Sequence, residues 1–274
     1  MAITAQDVNK LRQMTGAGMM DCKKALTEAN GDFDGAVEIL RKKGQKVSAA
    51  RADRETTEGI VLIDDNGREA TLLAFGCETD FVARNEEFVA LGKDILAAAV
   101  KEKPADKEAL YALSVNGMPI QEKITEMIGK IGEKLHIVAY ERVSGEATIG
   151  YVHSNGKLGV VVAFAGTEGK DISEVAKDVA MQIAAMNPVA IDKDDVDAEM
   201  VQKEIEIGKE QARNEGKAEE LLEKIALGKL NRFYKDSTLL NQDFVKDNSK
   251  TVRQMLQSVA KNLTVTAFKR VSVG

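Results

Sequence analysis

Apolar residues recur along this chain in two rhythms, one helical and one strand-like, and the change falls near residue 55. Up to about residue 44 the spacing is three and four. Val8, Leu11 and Met14 form one stripe, and Thr4 with Asp7 three positions on predicts a capping box ahead of it. Thr15-Gly16-Ala17-Gly18 reads as a tight turn, after which Met19, Cys22, Ala25 and Leu26 predict a second helix. Gly31-Asp32 breaks that helix. Asp32 can cap a third, which buries Ala36, Val37 and Leu40, and Gly44 is expected to close it as a left-handed cap. The chain is expected to enter helix almost at once, after Met1-Ala2-Ile3-Thr4.

Residues 41–54 hold Arg41, Lys42, Lys43, Lys46, Arg51 and Arg54 against one acid, Asp53. Such a stretch reads either as a solvated linker, with cations favouring a helix C-terminus, or as a surface that docks on acids. Strand patterns then begin, and they repeat. Residues 60–63 lead through Asn66-Gly67 into 70–75, and residues 149–152 lead through Asn155-Gly156 into 160–164. The same interval of 89 residues separates Asn66 from Asn155 and Phe75 from Phe164. Asn-Gly between apolar runs signals a hairpin, because both residues tolerate positive φ. Helices are predicted over 88–100 and 172–186, and each unit closes with a third strand, 135–144 and 263–272. The fold class is therefore α+β, with a duplicated core of two small antiparallel-sheet-plus-helix units. Residues 197–233 interrupt only the second unit. Val201, Ile205, Gly208 and Ala212 line one side and Leu222, Ile225 and Phe233 another, with a break at Asn214-Glu215-Gly216, so an antiparallel helical hairpin is expected. The expected divisions are 1–54, 55–144 and 145–274.

Charge and composition narrow the chemistry. The 274 residues include 38 basic and 44 acidic ones, a net charge of -6, with 4% aromatics and no Trp. That balance argues against a nucleic-acid binder, whose affinity comes from cations on phosphates. No apolar run approaches the roughly 18 residues that a membrane helix needs. No signal or transit segment is recognised at the N-terminus, so a cytoplasmic location is expected, and a processed organellar protein would share these features. Cys22 and Cys77 are expected to be buried and reduced, and two histidines, His136 and His153, cannot build a conventional zinc site without carboxylates. No metal and no cofactor is expected.

A nucleotide-hydrolysing P-loop needs Ser or Thr after Gly-Lys. Gly-Lys occurs at 92, 129, 156, 169, 208, 216 and 228, and the next residue is never Ser or Thr. Gly16-Ala17-Gly18 precedes a helix without following a strand, so its glycines read as turn geometry. No nucleophile–base set stands out, and acid pairs such as Asp64-Asp65 and Asp194-Asp195 read as solvated loops. Thr79-Asp80-Phe81-Val82 remains, between the second strand and a helix. Phe81 is either a staple packed on the following helix or an outward interface anchor. The equivalent loop of the second unit, Gly166-Thr167-Glu168-Gly169-Lys170, carries no aromatic, so the fold does not require one.

The segment LRQMTGAGMMDCKKAL (Leu11 to Leu26), the Thr79-Asp80-Phe81-Val82 loop and the architecture between them resemble the elongation factor Ts family over nearly the whole chain. The three N-terminal helices resemble a ubiquitin-associated domain. The family resemblance implies a non-enzymatic guanine-nucleotide exchange factor that binds GDP-bound elongation factor Tu, with no direct nucleic-acid or membrane partner. It implies that Thr79, Asp80, Phe81 and Val82 form the acting loop, whose Phe wedges into the partner's GTPase domain and disturbs Mg²⁺ coordination. It gives secondary contacts at Lys23, Ile131, Gly132 and His153, and leaves room for higher-order assembly of the complex. Some members continue into a further C-terminal helix that touches the partner. The sequence here ends at Gly274 after Arg270-Val271-Ser272, which puts more weight on the core. Two other classes remain open: a ubiquitin-associated-like adaptor without exchange activity, and a small enzyme with an unrecognised site.

Overall fold

The computed structural model describes residues 3–274; Met1 and Ala2 lie outside the described residues. Helix α1 (Ala5–Thr15) opens where the capping box sets it. The Thr4 Oγ1 accepts the Asp7 N–H at 3.2 Å, the Asp7 carboxylate accepts the Thr4 N–H at 2.9 Å, and Gly16 closes the helix at φ +65°. Helices α2 (Met19–Glu28) and α3 (Phe33–Ala50) follow, the latter capped by Asp32, whose carboxylate accepts the Gly35 N–H at 2.9 Å. Val8, Leu11, Cys22, Ala25, Leu26 and Ala36 form the buried centre of this module. Met14 and Met19, expected in the stripes, are exposed instead, because each stands at a helix end beside the turn.

Two further expectations fail here. Gly44 does not end α3; it is buried in the middle of the helix. Nor is 41–54 a free linker: residues 41–50 continue α3, and four of the cations, Arg41, Lys42, Lys43 and Arg51, pair with acids of the same chain. Lys43 meets Asp21 at 2.5 Å, Arg41 meets Glu122 at 3.4 Å and Arg51 meets Glu78 at 2.9 Å.

The first core unit runs β1 (Glu58–Asp65), β2 (Glu69–Cys77), α4 (Asp80–Ala83), α5 (Glu86–Glu102), α6 (Lys107–Ala112), β3 (Ser114–Val115), β4 (Met118–Pro119), α7 (Ile120–Ile131) and β5 (His136–Ser144). The second runs β6 (Ala147–Val152), β7 (Leu158–Ala165), α8 (Ser173–Met186), α9 (Ala198–Asn214), α10 (Glu219–Ser237), β8 (Asp243–Phe244), β9 (Asp247–Thr251), α11 (Val252–Val259) and β10 (Thr264–Ser272). The sheet orders, β1-β2-β5 and β6-β7-β10, are the same topology, antiparallel throughout. The repeat reaches fine detail. The register skips Val138 opposite Phe75 and skips Thr266 opposite Phe164, a bulge in the same place in both copies. Both α5 and α8 end on a left-handed residue, Lys103 and Asn187, followed by Pro104 and Pro188.

In the Asn-Gly turns of the main hairpins only Gly67 and Gly156 take positive φ; the asparagines do not, and Asn66 instead accepts the N–H groups of Arg68 and Glu69 on its side chain. Both residues are left-handed in Asn116-Gly117, between β3 and β4, as they are in Asn30-Gly31 after α2.

Both faces of each sheet are covered. Leu73, Phe75 and Cys77 of β2 face α5 and α7, while Ala70, Leu72 and Ala74 pack on Val161 and Ala163 of β7. In turn Val160, Val162 and Phe164 face α8 and α11. The layers are therefore helices, sheet, sheet, helices.

The hairpin α9–α10 reaches Ser237, beyond the expected 233, and buries Ala212, Leu222, Ala226 and Leu230 along its seam. None of these belongs to the clusters that join sheet to helix or sheet to sheet. Replacing 198–233 by a short Gly/Ser linker is accordingly expected to leave one cooperative thermal transition by circular dichroism. A broad, non-cooperative melt would make the hairpin part of the core.

Candidate protein-binding site

The Phe81 turn is built by its neighbours. β2 ends at Cys77, whose buried thiol donates to the Thr79 carbonyl at 3.2 Å. Burial, aided by the carboxylates of Glu133 and Glu58, pushes that thiol up to about 12, so it stays a neutral donor. Thr79 caps α4, its Oγ1 accepting the Val82 N–H at 3.4 Å. Glu133 uses both oxygens on Thr79: Oε1 accepts the hydroxyl at 2.7 Å and Oε2 the backbone N–H at 3.0 Å. Asn85 then caps α5 through the Glu87 and Phe88 N–H groups, and Phe88 stacks on Phe75 with centroids 4.5 Å apart.

These bonds turn two adjacent apolar residues opposite ways. Val82 is 8% exposed and joins the cluster of Phe75, Cys77 and Phe88; Phe81 is 84% exposed. The staple is thus Val82, and Phe81 is the outward residue. Val82, expected on the outward loop, is instead the apolar peg that fixes it, because successive side chains of a one-turn helix diverge by about 100°. An exposed Phe forgoes roughly 1.5–3 kcal/mol of burial that an apolar pocket on another molecule would recover. Asp80 stands beside the ring and pairs with Arg84 at 3.3 Å, both exposed, an arrangement of small stabilising effect.

The residue before Thr79 ties the turn to α3. Glu78 takes both contacts of Arg51 Nη1, at 3.0 and 2.9 Å, and the Lys134 N–H at 2.7 Å. Burial of Glu78 opposes its charge, but the Lys134 N–H and the Arg51 guanidinium outweigh it and hold the carboxyl below the ordinary 4.5. The folded value is the lower one, so this stabilisation is complete above about pH 4.5 and is lost as pH falls through the lowered value. Glu78→Gln is expected to be less stable than wild type at neutral pH, with the difference shrinking on acidification below pH 4.5. Thermal unfolding of both proteins across that range checks it, and a difference independent of pH would count against the clasp.

The other candidates are placed unevenly. Gly132 is the left-handed cap of α7, directly before Glu133, so Ile131 and Gly132 adjoin the turn. His153 is exposed, its Nδ1 2.9 Å from the Tyr151 hydroxyl. Its turn leans on β1, where Gly156 O accepts the Val61 N–H at 2.8 Å and Lys157 meets Glu58 at 2.5 Å. Lys23 is exposed on α2, in the N-terminal module. Sequence reasoning missed Glu78 and Glu133; the one local signal for Glu133 is an acid following a helix-ending Gly, and Glu78, straight after β2, has none. Among the described residues no group of three or more His, Cys, Asp or Glu could hold a metal, and no helix is long and apolar enough to cross a membrane.

The family model described as elongation factor TS matches residues 78–274, starting at Glu78 itself. The chain is 61% identical to Elongation factor Ts of Cytophaga hutchinsonii over 99% of both chains. It is 55% identical to that of Amoebophilus asiaticus over the full length of both, and 50% identical to that of Porphyromonas gingivalis over 100% of this chain and 99% of the relative. This chain belongs to the elongation factor Ts family. Membership makes it a protein of translation elongation. The relatives match its whole length, so the three-helix module and the helical hairpin lie within the aligned region.

Proposed function

We propose that this chain is a guanine-nucleotide exchange factor for elongation factor Tu and that Phe81 is the element that enters the partner's GTPase domain. Family membership supports the exchange role and the partner. The observation that carries the reading of the loop is an 84% exposed aromatic ring on a turn pinned from both sides. Such a ring is a pre-ordered anchor, and aromatic anchors dominate many interfaces.

Exchange needs no covalent chemistry from this chain. It is negative coupling between two ligands of one partner: if the factor weakens GDP by some ratio, GDP weakens the factor by the same ratio. Disturbing the partner's Mg²⁺ suffices, since the ion neutralises phosphate charge. Thr79 and Val82 set the turn, Asp80 presents a charge beside the ring, and Phe81 fills the pocket. Ile131 and Gly132 flank that contact, while Lys23 and His153 extend it, Lys23 from a module spanning 1–54 and His153 from the second half of the core, 145–274, across from the first, 55–144.

Elongation factor Tu loaded with fluorescent GDP and mixed with this chain tests the reading. Release is expected to accelerate and to saturate with the concentration of the chain. Binding without faster release would leave the adaptor reading in its place.

A further inference from the structure

Two consecutive residues, Glu133 and Lys134, hold both the Phe81 turn and the end of α3. We propose that they act as a splint. Glu133 is a positioning residue for the Phe81 ring, and Lys134, with Glu78 and Arg51, fixes the N-terminal module to the same turn. Module and ring then meet the partner in one geometry. The inference rests on Phe81 being the exchange element.

A four-residue helix cannot hold its own shape, because nucleating a turn fixes several dihedrals for a single bond. The conformation of α4 therefore depends on its cap and on buried Val82. Glu133 supplies the cap's orientation, since its two oxygens accept both the hydroxyl and the N–H of Thr79. Without it the Thr79 hydroxyl can rotate and the ring, two residues on, loses a fixed direction. Lys134 works on the other side. Its N–H goes to Glu78, and its ammonium donates to the carbonyls of Ala52 and Arg54 at 2.6 and 2.8 Å. Glu78 in turn holds Arg51.

The duplication supplies an independent comparison. Leu135 corresponds to Leu263, so Lys261 and Asn262 stand where Glu133 and Lys134 do. The copy without an aromatic thus has a cation in place of the acid. There Asn262, like Lys134, gives its N–H to a loop carboxylate, Glu168, at 3.4 Å, but the part played by Glu133 falls to Glu146, which accepts the Gly166 N–H at 2.7 Å and the Thr167 hydroxyl. The carboxylate at this position accompanies the ring.

The chain has no Trp, so Phe81→Trp places a single indole at the tip, which can be excited apart from the four tyrosines. In that background Glu133→Ala is expected to lower the residual time-resolved anisotropy of the indole, and Glu133→Gln, which keeps one acceptor oxygen, to lower it less. With Phe81 in place, Glu133→Ala is expected to cut the maximal rate of GDP release about tenfold and to change the half-saturating concentration less than twofold. Arg51→Met is expected to do the reverse, raising half-saturation several-fold at a near-normal maximal rate. Unchanged anisotropy and release rate in Glu133→Ala would overturn the Glu133 half, and unchanged half-saturation in Arg51→Met the module half. If Glu133→Ala melts below the assay temperature, Glu133→Gln is read in its place. Wild-type release by Phe81→Ala would sink the reading of Phe81, whereas the anisotropy reports on the splint alone.

Discussion

Phe81→Ala is expected to be as stable as the wild type and to lose most of its power to release GDP. With the ring 84% exposed, truncation removes little packing, and surface changes of this kind stay within about ±0.5 kcal/mol. An anchor that fills a partner's pocket is worth about 2 kcal/mol or more, on the order of a 30-fold loss in binding or rate. A packed staple would show the opposite ranking, losing roughly 3–5 kcal/mol of folding stability. Thermal unfolding of the variant alone and fluorescent-GDP release from elongation factor Tu, measured in parallel, separate the two. A destabilised variant exchanging at the wild-type rate below its melting point would defeat the assignment.

Gly129→Val is expected to lift the N-terminal module off the core while leaving both folded. Helices α3 and α7 cross at Gly44 and Gly129, where a Cβ on Gly129 would lie 2.7 Å from the Gly44 Cα. Backbone opposes backbone there, so no side chain can swing away and the helices must part, at about 1–3 kcal/mol of overpacking. The module keeps its own buried centre of Leu11, Cys22, Leu26 and Ala36. Far-ultraviolet circular dichroism should therefore barely change. Trypsin should cut far faster after Arg51 and Arg54, and the half-saturating concentration for exchange should rise about tenfold. Wild-type resistance to trypsin in this variant would show that the crossing does not hold the module.

Much of this architecture is legible in the sequence because it is periodic or local. The interval between Asn66 and Asn155 exposes the duplication, Thr4 with Asp7 marks a helix start, and the missing aromatic in the second copy singles out Phe81. What escapes is tertiary. Gly44 looks like a helix end because a glycine with no known neighbour reads as a left-handed cap; its actual reason, the close approach of α7, lies more than eighty residues away at Gly129. The second buried face of the sheets leaves a trace in the unbroken apolar run of β2, yet nothing local says which surface covers it. Among the site residues, Phe81 is legible and Glu133 is not, since a carboxylate that grips Thr79 from 54 positions away looks like any solvated acid.

The sheet-to-sheet joint has a consequence for how the chain is made. Val61, Leu72, Ala74 and Val143 of the first half are covered by Val161, Ala163 and Val273 of the second. A ribosome delivers the first half complete before any of β7 exists, so the nascent protein carries an open apolar sheet face until the second hairpin emerges. Such faces drive self-association of incomplete chains. Two sheets of one topology thus cover each other inside a single chain, as two copies do across a dimer interface.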